Sequence, residues 1–197
     1  MKYVNQLEHP HMLYVTRTDP EFGDQGKTTT VKSSGCGLCS AIMVADRLLP
    51  EYNFELPDAI ELSYAQKANH GKGTDPKLFF PAFAEKLGLD YKAANTIEEL
   101  LHCLQTGGAA VAHVGCKEPG KPGLFTKGGH YMAVIGLERD GRVAILDPSY
   151  KEGKFDEPED RVGKVEIKNK VIVLCDPAIL HEETTMKAIS YHLFWRA

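Results

Sequence analysis

The 197-residue chain has no surplus of positive charge: 23 Lys and Arg stand against 27 Asp and Glu, for a net charge of −4. That speaks against a nucleic-acid binder working through bulk charge, because neutralising phosphates needs a basic face. The lysines are scattered, so there is no polybasic membrane patch. No apolar run reaches the length of a membrane span. The first fifteen residues, MKYVNQLEHPHMLYV, hold no apolar core of signal-peptide length. The expected location is therefore cytoplasmic, or exported if an upstream leader was removed. Cysteine is sparse, five residues at irregular spacing, and an odd, thin set makes no disulfide framework, so free thiols are expected. Internal repeats and low-complexity segments are absent. What remains is 43% hydrophobic and 25% charged residues, an ordinary globular composition, at a length suited to one domain over 1–197.

The first half reads as helical. Residues 12–16 fit a short strand, followed by a loop rich in Gly, Thr, Ser and Asp. A helix is expected to begin at Cys36, with Leu38, Ile42, Ala45 and Leu49 at helical spacing and Pro50 as its stop. Further helices are expected over 57–69, 75–87 and 96–105, the last opened by Thr-Ile-Glu-Glu, a capping-box pattern. The second half reads as strands. GAAVAHV is a short apolar run, and GHYMAVIGLE and GRVAILDP flank Asp140-Gly141, a strong hairpin signal. KVEIKNKVIVLC and ISYHLFWR continue the β pattern, while the charged stretch 149–164 reads as a surface loop. Helices followed by an antiparallel sheet make an α+β fold.

The chemistry gathers around SSGCGLCSAIMVADRLL. A cysteine is nucleophilic only as a thiolate, and a helix N-terminus favours that form through unpaired N–H groups and the macrodipole. Cys36 has this placement, with a glycine on either side. Cys39 lies one turn deeper, where a thiol packs like a small apolar residue. The second device for a thiolate is a histidine that accepts the proton. Among eight histidines, His130 follows Gly128-Gly129 and opens a strand. Asp147 ends the partner strand. If Arg139 pairs with Arg142, Asp147 faces Val134; His130 then shares its side of the hairpin but is offset by four residues. A bulge or a coiled hairpin end must close that gap.

These two segments resemble the nucleophile segment and the His-hairpin-Asp-Pro segment of bacterial papain-fold cysteine peptidases related to the bacteriocin-leader (double-glycine) peptidases. Their usual run is Gly-Cys-Gly-Pro followed by Thr or Ala; here Leu38 and Cys39 stand at those places. The resemblance covers about forty residues. It implies a papain-like domain acting on a peptide or protein, with Cys36 as nucleophile, His130 as base and acid, Asp147 orienting His130, and no metal or organic cofactor. It also implies an upstream glutamine holding the oxyanion. No glutamine sits in Tyr14 to Pro20, which leaves Gln25, Asp19 and Arg17 as candidates.

Other readings stand beside this one. Cys-x-x-Cys is also a zinc or redox signature, but structural zinc wants a second tight pair, and Cys103, Cys116 and Cys175 stand alone. Cys103 and Cys175 read as core. On the same fold, a thioester captured by an amine or thiol would make an acyltransferase like the phytochelatin-forming enzymes. A fold that had lost turnover would make a peptide-binding module.

Overall fold

The computed structural model of the protein describes residues 1–14, 29–69, 73–116, 122–156 and 161–197. Helices dominate the first half: α1 (Val31–Ser34), α2 (Cys36–Leu48), α3 (Leu56–Ala65) and α4 (Pro76–Leu87). After β1 (Leu89–Ala94) and α5 (Ile97–Gln105) come β2 (Ala109–Val114), β3 (His130–Leu137), β4 (Val143–Leu146), β5 (Val165–Lys168) and β6 (Ile172–Cys175). Then α6 (Pro177–Glu182) leads to β7 (Tyr191–Arg196). The strands form one antiparallel sheet in the order β1-β7-β2-β3-β4-β6-β5, so the architecture is the α+β one expected.

The sheet carries apolar cover on both faces. On one face α2, α3 and α4 pack against Val111, Tyr131, Ala133, Ile135 and Leu146. On the other, Leu100, Cys103 and Leu104 of α5 and Leu180 of α6 pack against Ala112, Met132, Val134 and Ile145. A strand buried on both faces reads as a continuous apolar run rather than an alternating one, which is why Met132 to Ile135 shows no alternation. α2 is the central helix. Every residue from Gly37 to Ala45 is buried, so it lacks the polar face of a surface helix.

Local signals account for most element ends. Thr96 and Glu99 form the capping box at α5, and Asp75 caps α4 by accepting from the Lys77 N–H. Two expectations are corrected, the extent of the second helix and the loop after Asp147. The helix expected over 57–69 stops at Ala65, because Lys67 turns into the left-handed region (φ 54°). KVEIKNKVIVLC carries the expected β pattern as two strands, β5 and β6, separated by Asn169 and Lys170 at φ 51° and 70°. β1 goes unannounced in the sequence: at the sheet edge, its burial follows no two-residue period. The stretch after Asp147 is not simply a surface loop, since Phe155 is buried and Lys154 nearly so. Of the strand expected over 12–16, a single bridge between Leu13 and Thr30 is present; residues 15 and 16 lie outside the described residues.

Candidate active site

Cys36 is the first residue of α2, and the fold places it there by close packing. A Cβ on Gly35 would lie 2.6 Å from both Val31 Cγ1 and Val31 O, and one on Gly37 would lie 3.2 Å from Thr74 Cβ and 3.3 Å from Tyr131 Cδ2. The flanking glycines are therefore needed for the approach of neighbours. Gly35 has φ −92°, so an unusual backbone conformation is not the reason. Cys36 is half-buried as a residue, whereas Cys39 is fully buried.

His130 is the first residue of β3, and two one-residue shifts bring Asp147 to it. The hairpin loop is Arg139-Asp140-Gly141, closed by the Glu138 N–H donating to Arg142 O at 2.8 Å, with Gly141 at φ 89°. Leu137 consequently pairs with Val143, one step from the register expected. A bulge between Val134 and Gly136 adds the second step, so that Ala133 pairs with Leu146 and Asp147 follows opposite Met132. Two single shifts preserve the face, because side-chain direction alternates with period two. The offset from His130 falls from four residues to two. The side chains span the rest: His130 Nε2 lies 2.8 Å from Asp147 Oδ1.

The Asp147 carboxylate is saturated with donors. Oδ1 also accepts from the Ser149 N–H at 2.8 Å and the Ser149 hydroxyl at 3.0 Å, and Oδ2 accepts from Lys154 Nζ. Ser149 Oγ lies 3.1 Å from His130 Nε2 and accepts from Lys154 Nζ at 2.8 Å. The N-terminal segment ties the same loop down. Tyr3 donates its hydroxyl to Asp147 O at 2.8 Å, Gln6 N–H donates to Pro148 O at 2.8 Å, and Asn5 Nδ2 donates to Tyr150 O at 3.0 Å.

With Nε2 so engaged, Nδ1 is the nitrogen left for the thiol, and Cys36 and His130 each shift the other's titration. Burial pushes the Cys36 thiol up, but the hydrogen bond and charge of His130, with backbone donors at Tyr131 and Gly37, outweigh it and hold the thiol below its ordinary value. Burial alone would lower the imidazole; the Asp147 charge and hydrogen bond, then Cys36, raise it from 6.5 to about 9. Asp147 is pulled well below the usual carboxylate range: the His130 and Lys154 charges overcome a burial that opposes ionisation.

The other thiols behave differently. Burial, and then the charge at Cys36, push Cys39 far up. Burial likewise takes Cys103 and Cys175 to about 12. The five cysteines are free thiols. Among the described residues, no group of three or more His, Cys, Asp or Glu is placed to hold a metal ion. His113 stacks on Tyr131 at 4.3 Å between ring centres, and burial, with the Lys187 charge, depresses it to about 3.

The structure thus brings Cys36, His130 and Asp147 together. Gln25, Asp19 and Arg17, the oxyanion candidates, lie outside the described residues. Sequence reasoning missed Ser149 and Lys154. Their signal is the aromatic pair Tyr150 and Phe155 in a charged run just after Asp147-Pro148, which marks a turn folding back onto the site.

No family model matches the chain, and no curated protein matches it. Among solved structures it is similar to a Bacillus anthracis protein described as a C39-like peptidase, at 13% identity and a TM-score of 0.39. That match covers 61% of this chain and 58% of the other, less than two thirds of its length. Among the described residues, no helix is long and apolar enough to cross a membrane.

Proposed function

We propose that the protein is a cysteine hydrolase that cleaves a peptide or amide bond on a papain-like fold. One observation carries this reading. A thiol held low at the start of a buried central helix is hydrogen-bonded to an imidazole held high, and a buried carboxylate holds the imidazole's far side. That is the nucleophile, base and orienter set of acyl transfer. The placement of the cysteine helix against an antiparallel sheet that carries the histidine supports the resemblance to papain-like peptidases.

In this reading the resting pair is thiolate and imidazolium. Cys36 Sγ attacks the substrate carbonyl carbon, forming a C–S bond and an oxyanion. The oxyanion develops near the N-terminus of α2, where first-turn N–H groups lack intrahelical partners and the dipole favours negative charge. The imidazolium gives its Nδ1 proton to the leaving nitrogen as the C–N bond breaks, and an amine departs. Water then loses a proton to the neutral imidazole and attacks the thioester, releasing the acid and restoring the thiolate–imidazolium pair. Asp147 holds the Nε2–H tautomer throughout, and Ser149 and Lys154 hold Asp147.

Alkylation of Cys36 tests the proposal. Iodoacetamide at pH 6.5 is expected to label Cys36 at least tenfold faster than an ordinary free thiol, because so little thiolate exists in the latter at that pH. The advantage is expected to vanish in His130→Ala. Labelling at the rate of a free thiol in the wild type refutes the ion pair and favours a peptide-binding module. Products formed with added amines or thiols separate hydrolysis from acyl transfer.

A further inference from the structure

A cavity of about 480 Å³ opens beside the Asp147 loop, lined by Ser149, Lys127, Lys151, Lys154 and Arg161. Its size falls in the range of small-molecule sites, roughly 300 to 1,000 Å³, enough for a side chain or two of a peptide. Leu7 and Phe125 supply an apolar wall. Two of the cations are fixed. Lys154 Nζ reaches Asp147 and Ser149, with a side chain only 10% exposed, and Arg161 donates to Gly123 O at 2.9 Å and to Lys154 O at 3.4 Å. The other two, Lys127 and Lys151, are exposed at the rim.

No described carboxylate lines this cavity. Asp156 Oδ2 comes within 3.5 Å of where a Cβ on Gly153 would stand, but Asp156 is not part of the wall. In a chain of net charge −4, and with the Lys154 charge held by Asp147, Lys127, Lys151 and Arg161 still give the described wall one sign of charge, and such a cleft concentrates ligands of the other. Ser149 borders the cavity and also touches His130 at Nε2, so the cavity lies on the Asp147 side of the imidazole, across the ring from the thiol.

We infer that this pocket receives a carboxylate-bearing side chain of the peptide substrate, making the protein selective for sequences that contain Glu or Asp. The inference rests on the peptidase reading of Cys36, and its test is kept separate from turnover. Two exposed lysines at ordinary surface strength favour a carboxylate over its amide by roughly three- to tenfold in binding. That preference fades with salt, because exposed charges are screened over about 10 Å at 0.1 M.

The probe is a pair of fluorescein-labelled randomised octapeptide pools, one with Glu and one with Gln fixed at a central position, titrated against Cys36→Ala and Cys36→Ser proteins at low salt. The Glu pool is expected to bind three- to tenfold more tightly. The ratio is expected to approach one in 0.5 M salt, a condition set here as high against the screening scale, and also when Lys127→Gln and Lys151→Gln are added. Equal binding of the pools, a ratio kept in the lysine variants, or no measurable binding overturns the inference. So does displacement of both pools by inorganic phosphate at matched concentration, which marks a general anion site. Cys36 alkylation judges the function independently: fast labelling with equal pools removes the pocket and leaves the hydrolase, and slow labelling with a Glu preference does the reverse.

Discussion

Replacing Lys154 by methionine keeps the stem over the site and removes the charge. In the folded protein the Lys154 side chain is 10% exposed and Asp147 is fully buried, so solvent screening gives little relief. Removing one partner of a buried pair typically costs about 3 to 5 kcal/mol, since a buried charge is left uncompensated. Here Asp147 keeps three other donors, one from His130 and two from Ser149, which places the expected loss at the lower end, about 3 kcal/mol. Urea unfolding at pH 7 measures it. In a double-mutant cycle, Lys154→Met with Asp147→Asn is expected to cost at least 1 kcal/mol less than the two single losses summed, an order taken from coupled neighbours in general. The pH profile of Cys36 alkylation supplies a second readout that simple loss of packing does not move. Taking a cation away from Asp147 strengthens the carboxylate's hold on the His130 proton, so the alkaline limb shifts to higher pH. A Lys154→Met protein within 0.5 kcal/mol of wild type, the ordinary spread of surface substitutions, with an unmoved limb refutes the reasoning.

Three further predictions rest on the same geometry. The pair is intact between the depressed thiol value and the raised imidazole value of about 9, so turnover falls as pH rises through about 9. Because folding raises His130 from 6.5, its contribution to stability is full below about 6.5 and is lost as pH rises through about 9; denaturation across pH 6 to 10 reads this, and a rise in stability over that range, other groups held in the comparison with His130→Ala, contradicts it. Gly35→Ala drives a methyl into Val31 at 2.6 Å; overpacking of this kind costs roughly 1 to 3 kcal/mol, and displacing the start of α2 is expected to slow Cys36 alkylation at least tenfold, a figure set by the cost of small misplacements in active sites. Unchanged stability and labelling would remove close packing as the reason for Gly35.

Local signals were legible. The run around Cys36, the Thr-Ile-Glu-Glu cap of α5 and the Asp140-Gly141 turn each depend on a few neighbouring residues, and each stands where those residues require. The pairing of His130 with Asp147 was legible only to four residues, because hairpin register depends on two local irregularities. The Gly141 step follows from a three-residue loop where a two-residue one was assumed, and the bulge at Ile135 has no marker in the sequence. β1 was missed because an edge strand with mixed burial has no period to detect. Lys154 was hidden by its type: an isolated lysine in a charged run reads as solvated until a buried carboxylate is found beside it.

The position of β7 bears on how the molecule comes into being. This strand, last in chain order, lies between β1 and β2. As the chain leaves the ribosome, Cys36, His130 and Asp147 have all been made while β1 has no partner and β2 has one bare edge. Strand pairing over such separations forms late and slowly, since the intervening chain must first be ordered. A nascent fragment already carries the β3–β4 pair that aligns His130 with Asp147, but β2, which backs β3, keeps its other edge open until residues 191–196 slot home.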